Sequence, residues 1–473
     1  MSRTTTILFS TGCTAYFDWQ SLGLAYSVQH SWTDAEPLVV RLMSRCVDEA
    51  SRSRSSDLPH MTTFEHPDFA EAETSGVPDA YAPYNKPGGV LHWLKHSAAA
   101  DKSEFILLLE SDMLLRGPID CAAMGVRPGR AASAPYDYLR GASNGMARGF
   151  IKNVHRVQAV GGWVCVHRDD LRTLAPVWLD LTKQVRMNPG RYWRLPGQID
   201  SVKEDIDTGD AYATRGHAPF ISDMHAARSS HTRGAQVAGP IGRIYLLRGP
   251  APPPRTQFAH GACSCRYGYI FAAAEVSLSH LEHPEVMLYA GHAPSIAMPP
   301  PSILHYGLWC EVSAPGLASP WRFNKLSFTG GHAGGFSPHA CLHYFPAPPL
   351  PSELIAARLE REQVGSALLC AEVGVRLNAA LCEYHHVSPD EQGGSGRVPP
   401  CVAAGATKAE ALCPAPSLVE FLYAEKEADA IGTPSRCVDG DARCADWAAS
   451  AARSSAHTQQ RPVLTPRAHA ARL

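Results

Sequence analysis

Two carboxylates one residue apart, Glu110 and Asp112, interrupt an otherwise apolar stretch, EFILLLESDMLLRG (104–117). A hard divalent cation needs oxygen ligands of this kind, and paired acids can hold it against a diphosphate. The run before them, Phe105 to Leu109, is continuously apolar. Such a run predicts a strand buried on both faces, as in the middle of a parallel sheet. Acids at the carboxyl end of that strand face the crevice where open α/β sheets bind ligands. The chemistry expected is cation-assisted departure of a nucleoside diphosphate, as in sugar transfer from a sugar nucleotide. The other reading of acid-x-acid is a solvated turn that caps the next element. The buried strand before the pair and Arg116-Gly117-Pro118 after it favour the site. Arg116 can offset carboxylate charge or reach a phosphate.

The elements that must position this pair are legible in outline. Thr5 to Phe9 and Leu38 to Leu42 predict strands, with a helix between them over Asp18 to Gln29. Residues 50–83, rich in Ser, Asp, Pro and Glu, are expected to form a loop. Pro87 suits the first position of a helix over GGVLHWLKH. After the Phe105 strand come expected strands at Ala131 to Pro135 and Trp163 to Val166. Asp169 is placed to cap a helix whose Leu171, Leu174, Trp178, Leu181 and Val185 recur at spacings of 3 and 4. Further apolar segments lie at Val286 to Tyr289 and Ile303 to His305. Strands alternating with helices predict an α/β fold with a Rossmann-like, mostly parallel sheet flanked by helices.

Composition narrows the function classes. With 473 residues, 45% hydrophobic and 19% charged, the chain can bury a large core. Its formal net charge of −2 gives no basic footprint for nucleic acid. No continuous apolar stretch of 18 residues suggests a membrane span. The N-terminal apolar segment is too short for a signal peptide and runs straight into a strand, which suggests a natural start further upstream. The 14 cysteines show neither CxxC pairs nor zinc-ligand spacing, and leave the redox compartment open.

The chain resembles the plant and algal peptidyl serine α-galactosyltransferase family, related to the hydroxyproline O-arabinosyltransferases. The matching segments are LFSTGCTAYFDWQSLGL (8–24), NKPGGVLHWLKH (85–96), ILLLESDMLLRGPI (106–119), VGGWVCVHRDDLRTLAPVWL (160–179) and FISDMH (220–225). YGYIFAAAEVSL (267–278), ILHYGL (303–308) and WRFNKLSF (321–328) follow in the family's order. The resemblance implies a GT-A-type fold over residues 1–345, a UDP-galactose donor and Mn²⁺ or Mg²⁺. It also implies transfer of galactose, with retention, to serine of hydroxyproline-rich, extensin-like cell-wall glycoproteins. The place implied is the lumen of the secretory pathway, in the endoplasmic reticulum or Golgi.

Residue by residue, the resemblance points to Asp112 as direct metal ligand. Glu110 stands where the family usually has Asp. Its extra methylene moves the carboxylate outward by about 1.5 Å, toward the metal, a metal-bound water or the ribose. His305 ends an apolar strand within a matching segment and is the second metal candidate. Lys325 is read either as a point charge for the diphosphate or as a solvated surface lysine. At the exit of the first strand, Gly12 permits close backbone approach. Tyr16 or Trp19 can pack on uracil there, or Phe17 and Trp19 serve as core. Asn85 and Lys86 precede the helix expected from Pro87 and face the donor at its positive end, or form an ordinary turn. Gly161-Gly162 lets a sugar approach the backbone, or makes a bend before a strand. Asp223 stands where the family usually has Glu and is the candidate to orient the sugar or accept the acceptor's proton, with Asp210 a lesser candidate.

Residues 226–266 are expected to be a low-complexity insertion. Residues 346–435 are read as a linker, PAPPLP, and a helical segment that includes Glu353 to Val364 and Val419 to Ala428. Residues 436–473 resemble the opening of a small disulfide-bonded toxin-like (ShKT) module that is not completed, followed by a disordered tail. The rival functions are a hydroxyproline O-arabinosyltransferase and a catalytically silent nucleotide-sugar-binding homologue. A nucleotidyltransferase would need an early Gly-rich phosphate loop, which is missing here.

Overall fold

The computed structural model describes residues 4–32, 37–76, 80–136, 139, 146–188, 262–292, 300–314, 317, 319–329, 336–341, 343–350, 353–354, 361–386 and 401. In chain order its first elements are β1 (Thr5–Gly12), α1 (Ala15–Ser31), β2 (Leu38–Ser44), α2 (Glu49–Ser56), β3 (Thr62–Glu65) and α3 (Ala72–Ser75). Next come α4 (Asn85–His96), α5 (Ala98–Lys102), β4 (Phe105–Leu109), β5 (Met113–Leu115), β6 (Arg130–Pro135), β7 (Val160–His167) and α6 (Arg168–Met187). The remainder are α7 (Ala262–Glu275), β8 (Ser279–Glu282), β9 (Met287–Tyr289), β10 (Ile303–His305), β11 (Cys310–Val312), β12 (Trp321–Phe323) and α8 (Arg361–His386).

The central sheet has the order β3-β2-β1-β4-β7-β6-β8. Its first four strands are mutually parallel, β7 runs antiparallel to both β4 and β6, and β8 pairs parallel with β6. This is the mostly parallel α/β sheet that the sequence predicts. All five residues of β4 are buried, as its continuous apolar run requires of a strand covered on both faces. A smaller sheet, β5-β10-β9, continues directly from the turn after β4. Asp112 immediately precedes β5, whose antiparallel partner β10 ends at His305, opposite Met113.

Several expectations are corrected. The 50–83 segment is not one loop. Asp48 caps α2 by accepting from the Ser51 amide at 2.6 Å, and β3 adds a parallel edge strand to β2. A four-residue strand of mixed burial leaves little local pattern, so its pairing partner decides it. The cap of α6 is His167, whose Nδ1 accepts from the Asp169 amide at 3.3 Å. Asp169 sits inside the first turn and pairs with Arg168 and Arg172. The helix expected from Pro87 begins two residues earlier, so Asn85 and Lys86 belong to its first turn. The apolar positions of α6 named above are all buried, in line with their spacing.

The C-terminal segment packs into the same body. Helix α8 lies along α1, and Gly23 makes the approach possible: a Cβ there would meet Leu377 Cδ2 at 2.4 Å. Around this contact Trp19, Tyr306, Phe323, Phe345 and the apolar residues of α8 form a second core beside the one on the sheet. Within α8, Gln363–His386 is long and apolar enough to cross a membrane by length and composition, yet 83% of its most apolar window is buried inside the protein. Glu372 and Arg376 interrupt the run, and both are buried in ion pairs. Disulfides Cys13–Cys46, Cys121–Cys165, Cys310–Cys370 and Cys341–Cys401 staple β1 to the chain after β2, the β5–β6 loop to β7, and the β11 region to α8 and beyond. The expected helix Val419 to Ala428 and the 436–473 fragment lie outside the described residues, as does most of the 226–266 segment. Its last residues, from 262 onward, begin α7.

Candidate active site

The turn after β4 presents both acids at the carboxyl edge of the sheet. It is pinned from beneath: Ser111 Oγ donates to Gln20 Oε1 at 2.9 Å, and the Tyr306 amide donates to the Asp112 carbonyl at 3.0 Å. Asp112 is buried, and two cation-capable groups converge on it. His305 Nε2 lies 3.3 Å from Oδ1, and Lys325 Nζ pairs with Oδ2. Lys325 is delivered by the 3₁₀ turn Lys325–Phe328, which Asn324 caps and which follows the β11–β12 hairpin. Desolvation pushes the Asp112 carboxyl up, but Lys325 and His305 outweigh it and hold it well below the usual carboxylate range.

Glu110 faces different partners. Lys86 Nζ lies 2.6 Å from its Oε1, and the Arg266 guanidinium stands 4.0 Å from the same oxygen. Burial raises the Glu110 carboxyl, while Lys86 and then Arg266 bring it below its ordinary value. Arg266 also stands over the Tyr136 ring, 5.1 Å from its centre. The Tyr136 hydroxyl is 3.3 Å from that of Tyr289, and Tyr289 stacks on His305 at 4.6 Å between ring centres. A continuous chain of charged and aromatic groups thus joins one acid to the other. Gly161 and Gly162 make room for it. A Cβ on Gly161 would meet Tyr136 Cδ2 at 2.5 Å, and one on Gly162, at φ +77°, would meet the Tyr136 hydroxyl at 2.8 Å. The glycine pair therefore admits a side chain of the protein itself.

The structure brings together Glu110, Asp112, His305, Lys325 and Lys86. It places the other expected residues elsewhere. Arg116 is turned into the core, where its Nε donates to Glu372 at 3.0 Å, so its charge serves α8. Asn85 is buried and clasps the 68–69 loop, donating to Asp68 and accepting from the Phe69 amide. Trp19 packs on Phe345 at 5.0 Å in the aromatic core. Burying an indole fully is worth about 4–6 kcal/mol, too much to surrender for stacking on a base. Tyr16 is buried beside it; desolvation and then the Asp112 charge raise its hydroxyl pKa. The Gly12 carbonyl accepts from Arg41 at 3.2 Å, inside the buried Arg41–Asp18 pair. Asp210 and Asp223 lie outside the described residues. Arg266, Tyr136 and Tyr289 were not found from sequence. Arg266 falls at the last position of the expected insertion, and a single tyrosine after a strand carries no pattern.

No group of three or more His, Cys, Asp or Glu suited to a metal occurs among the described residues. Two donors do converge, however. Ligands that share one ion at about 2.0–2.2 Å come to roughly 3 Å of one another, close to the Asp112–His305 separation. A carboxylate with an imidazole suits Mn²⁺ better than the all-oxygen preference of Mg²⁺. These two residues fit as part of a cation's ligand set, provided that Lys325 yields Oδ2.

Residues 7–192 match the sequence model of the hydroxyproline O-arabinosyltransferase family N-terminal domain. The peptidyl serine alpha-galactosyltransferase of Arabidopsis thaliana is 31% identical over 378 residues, 80% of this chain and 38% of that protein. The protein of the same name from Chlamydomonas reinhardtii is 29% identical over 412 residues, 82% of this chain and 47% of that one. The chain is similar in sequence to these transferases. It spans less than half the length of either. Among solved structures it is similar to the WbbM bifunctional glycosyltransferase, at 8% identity and TM-score 0.33 over 65% of this chain and 46% of that one. It is also similar to the galactosyltransferase LgtC solved with donor and acceptor sugar analogs, at 13% identity and TM-score 0.29 over 46% of this chain and 81% of that one. At these scores the overlap is partial, and the fold class rests on the sheet order itself.

Proposed function

We propose that this chain is a metal-dependent glycosyltransferase that moves galactose from UDP-galactose to serine hydroxyls of hydroxyproline-rich, extensin-like glycoproteins, with retention. The observation that carries the reading is the meeting of Asp112, His305, Lys325, Glu110 and Lys86 at the carboxyl end of β4. A bound Mn²⁺, or Mg²⁺, would supply Lewis-acid neutralisation of the departing diphosphate. Asp112 and His305 would hold it. Lys325, Lys86 and Arg266 add fixed positive charge where the leaving group develops negative charge. Asp223 is the proposed group to orient the sugar or receive the acceptor's proton. Disulfides within the fold support an oxidising compartment, the lumen of the endoplasmic reticulum or Golgi.

A catalytically silent nucleotide-sugar binder is the second reading, favoured by the engagement of Glu110 with Lys86. Turnover of UDP-galactose, set against a panel of other UDP-sugars on a Ser-(Pro)-type peptide, separates the two. Turnover with UDP-galactose, lost in Asp112→Ala and in chelator, supports the first reading. UDP binding without turnover supports the second. Preference for a UDP-pentose with hydroxyproline as acceptor would move the assignment to the arabinosyltransferases.

A further inference from the structure

His305 stands in the middle strand of the small sheet, with β5 on one side and β9 on the other. On the β9 side its register partner is Tyr289, and the Ala290 amide donates to the His305 carbonyl at 3.1 Å, which locks that register. Register partners on adjacent strands project their side chains to the same face, about 4.8 Å apart. The two rings meet there. The phenol stacks on the imidazole at 4.6 Å between centres, with 29° between the planes. The far end of Tyr289 is tethered as well: its hydroxyl lies 3.3 Å from that of Tyr136, which the glycine pair of β7 admits.

An imidazole that binds a metal through one nitrogen ordinarily donates a hydrogen bond from the other, and that bond fixes how the ring points. His305 lacks this support. Its Nδ1 is buried and has no hydrogen-bond partner among the described residues. Nε2, which faces Asp112 Oδ1 at 3.3 Å, is bordered by the bare backbone of Gly307: a Cβ there would meet it at 2.6 Å. Strand register sets the His305 backbone but leaves its two side-chain torsions to be decided. Packing decides them, and Tyr289 supplies the flat face.

We propose that Tyr289 is a positioning residue for the cation: stacked on His305, it aims Nε2 at the ion shared with Asp112 and takes the place of the missing hydrogen bond at Nδ1. The proposal rests on the metal-dependent reading above. Lys325 engages the other oxygen of Asp112, so the contact that Tyr289 governs is the one to Oδ1. The orienting contact belongs to the ring of Tyr289, and its hydroxyl has the lesser part of anchoring that ring to Tyr136.

The test titrates Mn²⁺ alone into the full chain and follows its electron paramagnetic resonance signal, with urea denaturation as the check on folding. Tyr289→Leu is expected to weaken Mn²⁺ binding about tenfold, the low end of what a metal-bound histidine loses with its outer support. Tyr289→Phe keeps the ring and should stay within about threefold of the wild type. Tyr289→Met fills the space with a flexible chain and should match Tyr289→Leu, so the result does not depend on one variant's folding. A double-mutant cycle makes the decisive comparison. In a His305→Gln background, Tyr289→Leu should change Mn²⁺ affinity by less than about twofold, because the ring that it positions is gone. Wild-type affinity in Tyr289→Leu would overturn the proposal. So would an undiminished loss in the His305→Gln background, or a loss in Tyr289→Phe equal to that in Tyr289→Leu. A wild type that binds no Mn²⁺ would remove the metal reading itself, and this inference with it.

Discussion

His305 Nε2 lies 3.3 Å from Asp112 Oδ1, just beyond the terminal pair of the β5–β10 ladder, Met113 with His305. Residues 193 positions apart thus converge at the edge where the main sheet ends. The ladder continues past them through the Tyr306 amide and the Asp112 carbonyl, so the backbone, not side-chain flexibility, sets their separation. His305→Gln should weaken Mn²⁺ binding at least tenfold while the fold persists, because glutamine replaces the imidazole with a weaker donor. Titration of Mn²⁺ beside a circular dichroism spectrum checks this. Wild-type metal affinity in that variant would exclude His305 as a ligand.

Glu372 is buried between Arg116 at 3.0 Å and Arg376 at 2.6 Å, and Arg376 also donates to the Leu115 carbonyl. This triad locks α8 to β5, one strand-length from Asp112. Glu372→Ala strands two buried guanidinium groups and should destabilise the protein by about 3–5 kcal/mol. Urea denaturation measures it. A loss below roughly 1 kcal/mol would mean that the triad is solvated in the folded protein.

His280 is buried, and its Nε2 is hydrogen-bonded with the Tyr269 hydroxyl at 2.8 Å. Burial lowers its pKa from 6.5 to about 4. A histidine depressed in this way binds its proton more readily when unfolded. Stability is therefore complete above about pH 6.5 and declines as pH falls toward 4, by about 3 kcal/mol in all as an upper figure. His280→Gln should flatten that part of the stability curve. Equal slopes for variant and wild type between pH 6.5 and 4 would refute the assignment.

Gly162→Ala combines a left-handed backbone angle, φ +77°, with a Cβ 2.8 Å from both Met287 Cε and the Tyr136 hydroxyl. The expected destabilisation is about 2 kcal/mol or more. Displacing Tyr136 also unseats Arg266, so UDP affinity should fall with stability. Full UDP affinity in a destabilised Gly162→Ala protein would separate the aromatic chain from the site.

Local sequence was enough wherever a run or a period carried the signal. The unbroken apolar run Phe105–Leu109 fixed a central strand and, with it, the position of the acids. The spacing of Leu171, Leu174, Trp178, Leu181 and Val185 fixed the inner face of α6. Short elements escaped, because β3 has four residues of mixed burial and exists through its pairing with β2. The same holds for the partner of Arg116: a guanidinium four residues past Asp112 looks available to a phosphate until Glu372 is seen 256 positions away.

The chain by itself determined that two carboxylates close a buried strand in an α/β protein, since hydrophobic burial and strand geometry act over a handful of neighbouring residues. Only the tertiary structure decided what each carboxylate meets. Asp112 faces His305 and Lys325, while Glu110 faces Lys86 and Arg266. Electrostatic character depends on distances of a few ångströms between groups far apart in sequence, and chain closure alone creates those distances.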